Sequence, residues 1–418
     1  MMRFVIGSTA CLAAAGFAGN ASAAPTLTVL HSFTGYPDGI DPLGRLAMDS
    51  SGALYGTTYG GGMTGSGWGT VFKLTPPAAG KTQWTKTLLY AFTAGADGSH
   101  PRGGVIIDSK GALYGTTADG GLAGKVFKLT PPVPPATKWT YTVLYSFGSG
   151  SDGNTPLAGL IMDSTGALYG TTAYGGGYGY YGTVFKLTPP AAPKTQWTET
   201  VLHRFPSAST SDGFGPYAGL AFDSKGTLYG TTYFGGTSGS GTIFKLTPPA
   251  PGKTAWTETV VYSFKGLTDG VHPVADLSVD SKGALYGTTP YPGGGDCGTV
   301  FKLTPPVPNQ TQWSKTVLYG FGNGVNGCDP EAGVILDSNG ALYGTTKGGS
   351  SPLNGGTIFK LAPPAAGKTA WTETVLYGFK NGTDGYGPVS DLIFDKNGAL
   401  YGTTYFGSSV GGAVFKFQ

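Results

Sequence analysis

Seven copies of Leu-Tyr-Gly-Thr-Thr begin at Leu54, Leu113, Leu168, Leu228, Leu285, Leu342 and Leu400, so the chain is divided into units of 55 to 60 residues. A period this regular, running through nearly all of 418 residues, restricts the chain to repeat architectures before any single residue is weighed. The second unit shows the internal order. A short apolar run, Gly103 to Ile107, precedes an Asp108-Ser109-Lys110-Gly111 turn, which is followed by the motif itself and a Gly-rich stretch. Val126-Phe127-Lys128-Leu129, a Pro131-Pro132 break, Trp139 and Thr142-Val143-Leu144-Tyr145-Ser146-Phe147 complete it. These are four β-branched and aromatic runs, A to D, each bounded by turn formers. No sustained apolar period of 3.6 residues interrupts them.

Four strands per unit, seven times over, predict an all-β, seven-bladed β-propeller with four-stranded blades, an open solenoid being the alternative. The ends of the chain favour the ring. Leu27 to Phe33 is a D run with no A, B or C before it, and Ala413 to Phe417 is a C run with no D after it. The N-terminal strand is therefore expected to complete the last blade, and no capping repeat of the kind a solenoid needs is visible. Only 12% of residues are charged, as suits strands packed on both faces, and the net charge of +3 is too small and dispersed for a nucleic-acid or membrane-surface role. With no linker or composition break, residues 24–418 are expected to form one domain and a monomer.

Residues 1–23 read as an export signal: Arg3, an apolar Phe4 to Gly19 stretch and a small-residue cleavage site at Ala21-Ser22-Ala23. Cys11 lacks the aliphatic setting of a lipid-attachment site. No other stretch is apolar enough to span a membrane, so an exported protein, periplasmic or extracellular, is expected. Export leaves Cys297 and Cys328, which a propeller places on the same rim. A disulfide is the expected state, metal binding the competing one.

The units resemble the GloVer tandem repeat of exported bacterial proteins, a β-propeller-like family. The resemblance rests on Tyr145-Ser146-Phe147, Asp152-Gly153, Leu168 to Thr172, Gly175-Gly176 and Gly182 to Leu187. It implies an exported repeat protein and brings no established activity or catalytic residue. Members often end in an anchoring segment. This chain stops inside strand C at Gln418, so attachment by that route is not expected.

Positions shared by all copies should serve the fold, and positions where one copy departs are where a specific function would sit. The Asp49-type hairpin aspartates, the strand C lysines from Lys73 to Lys416 and the Trp84-type tryptophans therefore read as structural. The D-to-A connection reads Asp-Gly-x-x-Pro in six copies and Asn326-Gly327 in the other. Calcium is one reading of these loops, an Asp-Gly turn with a proline brake the other. Departures gather at the start of strand A, where Arg45, Asp276 and Asp391 replace a common glycine, and an Arg45–Asp391 ion pair across the ring closure is expected. Arg102 and Glu331 add unshared charge one residue after their prolines. The same rim carries aromatic residues in its B-to-C loops: Tyr59 and Trp68, then Tyr174, Tyr178, Tyr180 and Tyr181, then Tyr233 and Phe234, Tyr291, and Tyr405 and Phe406.

Exposed aromatic faces among Gly and Ser suit stacking on sugar rings or a protein partner. No nucleophile–base spacing, phosphate loop or zinc-binding His-Glu pattern appears, so no catalytic residue and no cofactor is assigned. The reading is an exported binding scaffold for a glycan or cell-envelope partner. A carbohydrate-active enzyme, a lyase or hydrolase using Asp276 and Asp391 near the channel, is the first alternative. A structural envelope protein is the second.

Overall fold

A computed structural model of the chain describes residues 25–62, 67–120, 123–148, 150–206, 211–266, 269–291, 297–322, 326–349, 354–407 and 411–418. The expected export signal and Cys11 lie outside the described residues. Among the described residues, twenty-eight strands, β1 to β28 in chain order, form seven antiparallel four-stranded sheets, the blades of a propeller. Blade one is β2 (Ala47–Met48), β3 (Leu54–Thr58), β4 (Thr70–Thr75) and β5 (Thr85–Ala91), from axis to rim. Every Leu-Tyr-Gly-Thr-Thr motif is a second strand. No α-helix occurs among the described residues, and none is long and apolar enough to cross a membrane.

The ring closes as the ends of the sequence predict. β1 (Leu27–Ser32) pairs antiparallel with β28 (Ala413–Phe417) as the outermost strand of blade seven. Thr26 N–H donates to the Gln418 carbonyl at 2.8 Å, and Gln418 N–H returns the bond to Thr26 at 3.1 Å.

The core lies between blades. The phenylalanine at the centre of each strand C meets, edge to face, the phenylalanine ending strand D of the preceding blade. Phe92–Phe127, Phe205–Phe244 and Phe379–Phe415 are such pairs, with centroids 5.1 to 5.4 Å apart, and Phe33–Phe72 repeats the contact across the chain closure at 5.2 Å. The motif glycine makes room for them. A Cβ on Gly56 would lie 2.6 Å from Phe72 Cζ, and one on Gly230 2.5 Å from Phe244 Cζ. Most tryptophans also cross a junction: Trp84 packs on Tyr401 and Trp139 on Tyr55, the motif tyrosines of the blade before.

The other shared residues are accounted for locally. Asp49 Oδ1 accepts the Ser51 and Ala53 N–H groups, and Tyr55 donates its hydroxyl to Oδ2 at 3.0 Å, a pattern found in all seven hairpins. Burial and that aspartate raise the Tyr55 hydroxyl pKa well above its ordinary value. Lys73 Nζ sits 5.2 Å from the Tyr55 ring centroid, a cation–π contact repeated by five other strand C lysines.

If the phenylalanine ladder holds the ring, shortening one rung should be felt globally. Phe244→Ala is expected to cost about 3–5 kcal/mol, read as a lower urea midpoint. Tyr178→Ala, on a fully exposed side chain, should leave the midpoint within error.

Candidate functional site

The rim that carries the site is built by two sets of loops lashed together. Each D-to-A connection bridges to the B-to-C loop of the following blade, as in Ser99–Asp119, Phe214–Phe234 and Cys328–Gly348. It also takes a backbone bond from the blade before: His100 N–H donates to Trp68 O at 2.8 Å and His272 N–H to Ser240 O at 2.9 Å. The residue before each loop proline is left-handed in every blade. Asp41, His100, Thr155, His272 and Asp329 have φ of 55° to 56°, and Gly215 and Gly387 stand at 68° and 65°. That conformation is rare for residues with a Cβ. Here it turns the chain from the outer edge toward the axis.

The Asp-Gly pair opens the same turn. In most copies the carboxylate accepts an N–H four residues back, as Asp97 does from Thr93 at 2.9 Å and Asp269 from Lys265 at 2.7 Å. Tyr90 and Tyr262 of strand D donate to these carboxylates as well. The glycine has φ of 81° to 122°, and a Cβ there would lie 2.1 to 2.7 Å from the second motif threonine. The shared aspartates thus have a structural task, the turn reading of the two offered by the sequence. The disulfide is present: Cys297 and Cys328 are bonded, with Cα atoms 4.4 Å apart, and tie a B-to-C loop to the next D-to-A connection.

These loops surround an axial funnel of about 650 Å³ to which all seven blades contribute. Of the residues expected from the sequence, the departures Arg45, Asp276 and Asp391 and the loop aromatics Tyr59, Tyr233, Tyr291 and Tyr405 line it, joined by Arg102, Glu331 and Tyr174. Tyr217 and Lys347 line it too and were not anticipated. The signal was present, since Tyr217 follows its proline as Arg102 and Glu331 do, and Lys347 follows its motif as Tyr59, Tyr233 and Tyr405 do.

Other expected residues lie elsewhere. Trp68 sits half-buried against the Phe92 and Phe127 cluster, its ring edge to face with His100 at 5.4 Å. Phe234 stacks on Phe214 at 5.2 Å, forming a lid over the blade. Tyr181 packs beside Phe214, and Tyr180 extends the outer side of β12 (Tyr180–Thr188). Tyr178 touches nothing that covers it. For Trp68, Phe234 and Tyr181 the physical reason is the same: a loop aromatic without a neighbour toward the axis gains by packing on aromatic or apolar groups near its own blade. His100 and His272, each just before a loop proline, fill the spaces between, with His100 stacked on Tyr59 at 4.6 Å and His272 on Tyr233 at 4.4 Å.

The electrostatics of the funnel are uneven. Asp276 Oδ1 accepts the Gly219 N–H and Asp391 Oδ1 the Gly333 N–H, both at 2.6 Å, so each carboxylate is fixed to the glycine of the blade before. The expected Arg45–Asp391 salt bridge is not among the ion pairs of the described residues. Arg45 acts on Asp391 through space instead, lowering its carboxyl pKa against the larger upward push of burial. Burial also raises Asp276, and the charge of Asp391 adds to it. Lys347 Nζ and Glu331 Oε1 pair at 2.9 Å, and the Tyr174 and Tyr217 hydroxyls share a bond at 3.1 Å. Among the described residues Arg45 and Arg102 enter no ion pair, and both are exposed.

Fold and site together define a seven-bladed propeller with a polar, tyrosine-lined axial funnel. The chain belongs to the Gloeobacter/Verrucomicrobia repeat family, whose profile matches residues 17–211 and 159–416. Among solved structures it is similar to a glucose dehydrogenase (14% identity, 94% of this chain and 99% of that one, TM-score 0.44). It is similar also to the periplasmic gluconolactonase of Pseudomonas aeruginosa (15%, 80% and 86%, 0.47) and to the aldose sugar dehydrogenase of Streptomyces coelicolor (12%, 95% and 99%, 0.42). A comparison with curated proteins found no match.

The raised carboxyls give a signed expectation. A carboxyl whose folded pKa lies above its unfolded value, near 4, stabilises fully below that value and loses the contribution as pH rises through the folded one. Asp276→Asn keeps an oxygen for Gly219 and removes the charge. Its thermal midpoint is expected to gain on the parent as pH rises from about 4 to 8; a gap that stays flat would show that Asp276 is not held in this way.

Proposed function

We propose that the protein is an exported glycan-binding propeller whose axial funnel receives the sugar, and that an acidic sugar is preferred. The observation that carries this reading is the lining. Six tyrosines, Tyr59, Tyr174, Tyr217, Tyr233, Tyr291 and Tyr405, ring a funnel wide enough for a small oligosaccharide, with Arg45 and Arg102 unpaired at its wall. Tyrosine offers an apolar face to the C–H side of a pyranose and a hydroxyl to its edge. An unpaired guanidinium offers a fork of donors that matches a carboxylate. Loops held by backbone bonds on both sides lose little entropy on binding. Export is supported by the leader-like residues 1–23 and by the family reading.

One observation favours a second reading, a lyase or hydrolase acting on the same class of substrate. Asp276 and Asp391 lie in the funnel with raised carboxyl pKa values, the condition for a general acid near neutral pH. Turnover of a bound glycan, lost in Asp276→Asn with binding retained, would establish it.

The binding test is a glycan array with the purified protein, followed by titration of any hit. Tyr233→Ala and Arg102→Ala are each expected to weaken binding about tenfold or more, and Trp68→Ala and Tyr178→Ala to leave it unchanged. A blank array with and without calcium would sink the glycan reading and turn attention to a protein partner.

A further inference from the structure

Outside the funnel, most junctions between blades are chemically matched at one recurring position, and two are not. The second residue of each outermost strand reaches back to the Asp-Gly or Asn-Gly loop of the preceding blade. Lys86 pairs there with the Asp38 carboxylate, and Lys315 Nζ lies 2.9 Å from Asp269 Oδ1. Tyr141 donates its hydroxyl to the Asp97 carbonyl. Glu373 faces the one loop that has Asn in place of Asp, and Asn326 Nδ2 donates to its Oε2 at 3.1 Å. β1 supplies uncharged Leu27 at the same register, opposite Phe417. Two junctions instead oppose carboxylates, Glu199 to Asp152 and Glu258 to Asp212.

The Glu258 junction has a feature that the Glu199 junction lacks. Strand β13 (Thr198–Pro206) carries His203 where most copies have tyrosine, and His203 Nε2 lies 3.2 Å from Asp212 Oδ2. One ligand atom from each of His203, Asp212 and Glu258 falls within 4.8 Å of the others. Asp212 Oδ1 and Glu258 Oε1 are shielded from solvent and accept no hydrogen bond. Buried carboxylate oxygens without a partner are costly and are normally paired or metal-bound. The chain contains its own comparison. His31 and Asp38 form the same His–Asp pair at 3.0 Å, and the Lys86 ammonium completes it. At the His203–Asp212 pair the third corner is the Glu258 carboxylate, so no ammonium completes it as Lys86 does.

We propose that His203, Asp212 and Glu258 bind one first-row divalent cation, with Zn²⁺ as the probe, which clamps blade three to blade four. One imidazole and two carboxylates suit such an ion, whereas Ca²⁺ takes about six to eight oxygens. Ligand atoms about 2.1 Å from a tetrahedral ion stand about 3.4 Å apart. Side-chain rotation of about an ångström closes the cluster to that spacing. Water fills the fourth position. The competing way to relieve the junction is a proton on Glu258, whose carboxyl is pushed up to about 8 by burial and by Asp212.

The experiment is calorimetric titration of chelator-treated full-length protein with ZnCl₂ near pH 7.5, paired with thermal unfolding with and without the metal. One site per chain and a midpoint raised by a few degrees are expected. His203→Ala and Glu258→Gln should each lower the affinity at least tenfold, and Glu199→Gln, at the junction without histidine, should not change it. Glu258→Lys copies the arrangement around Lys86 and keeps the proposal testable if the other variants fold poorly. It should raise the metal-free midpoint and abolish the response to zinc. No saturable site in the parent, or zinc binding that survives in both Glu258→Lys and His203→Ala, would overturn the proposal, the first outcome in favour of the proton.

Discussion

Everything in this molecule depends on one aromatic contact made seven times between neighbouring blades. A four-stranded blade has two faces and cannot bury either alone. The phenylalanine at the centre of strand C does so by meeting the phenylalanine that ends strand D of the blade before, edge to face, at about 5 Å. The motif glycine exists to admit that ring, since a Cβ there would overlap it. The ladder also explains why the first strand belongs to the last blade. Phe33 of the N-terminal segment is the rung facing Phe72, so pairing β1 with β28 closes the hydrogen-bonded sheet and the aromatic ring in one step.

Shared and unshared residues divide the work. The shared ones are satisfied within or between blades: hairpin aspartates by two N–H groups and a tyrosine, lysines by the faces of those tyrosines, tryptophans by the motif tyrosine of the blade before. A residue so occupied has little left to offer a ligand. Many of the unshared ones face the axis, where the seven blades converge around a cavity of about 650 Å³. Tyr217 and Lys347, together with Arg102, show the same pattern from different blades. A repeat protein of this kind makes its site from exceptions, because a side chain repeated seven times around an axis is a structural element by symmetry.

Electrostatics is where the repeats disagree most. Only 12% of residues are charged, and many of them meet at two places, the funnel and the outer junctions. In the funnel, Asp276 and Asp391 are pinned to backbone N–H groups, while Arg45 and Arg102 enter no ion pair among the described residues. At the junctions, lysine and tyrosine on the next blade's outer strand are alternative ways to cover an aspartate loop, and glutamate serves where the loop carries Asn326 instead. The carboxylate–carboxylate junctions are departures from that set. In the funnel such departures line the cavity where we propose a ligand, and at the junction of blades three and four they form the cluster for which we propose a cation.

Blade number, strand order, ring closure, the turn role of the hairpin aspartates and the Cys297–Cys328 bond were all legible in the sequence. Each follows from local periodicity, from turn chemistry or from the count of strands at the two ends. What only the tertiary structure decided is which loop side chains point to the axis. Tyr59 and Trp68 lie in one loop, yet the first lines the funnel and the second packs beneath it on His100 and the Phe92 cluster. Arg45 and Asp391 stand where a pair was expected, but Asp391 is held by Gly333 instead. His203 and Glu258 sit on neighbouring outer strands, Asp212 lies in the loop between them, and none of the three stands out in line. The reason is the same in each case. In a strand the alternation of side chains specifies direction, whereas in a loop it does not, and contacts between blades join residues some 40 to 60 positions apart whose relative placement is set by how the blades pack.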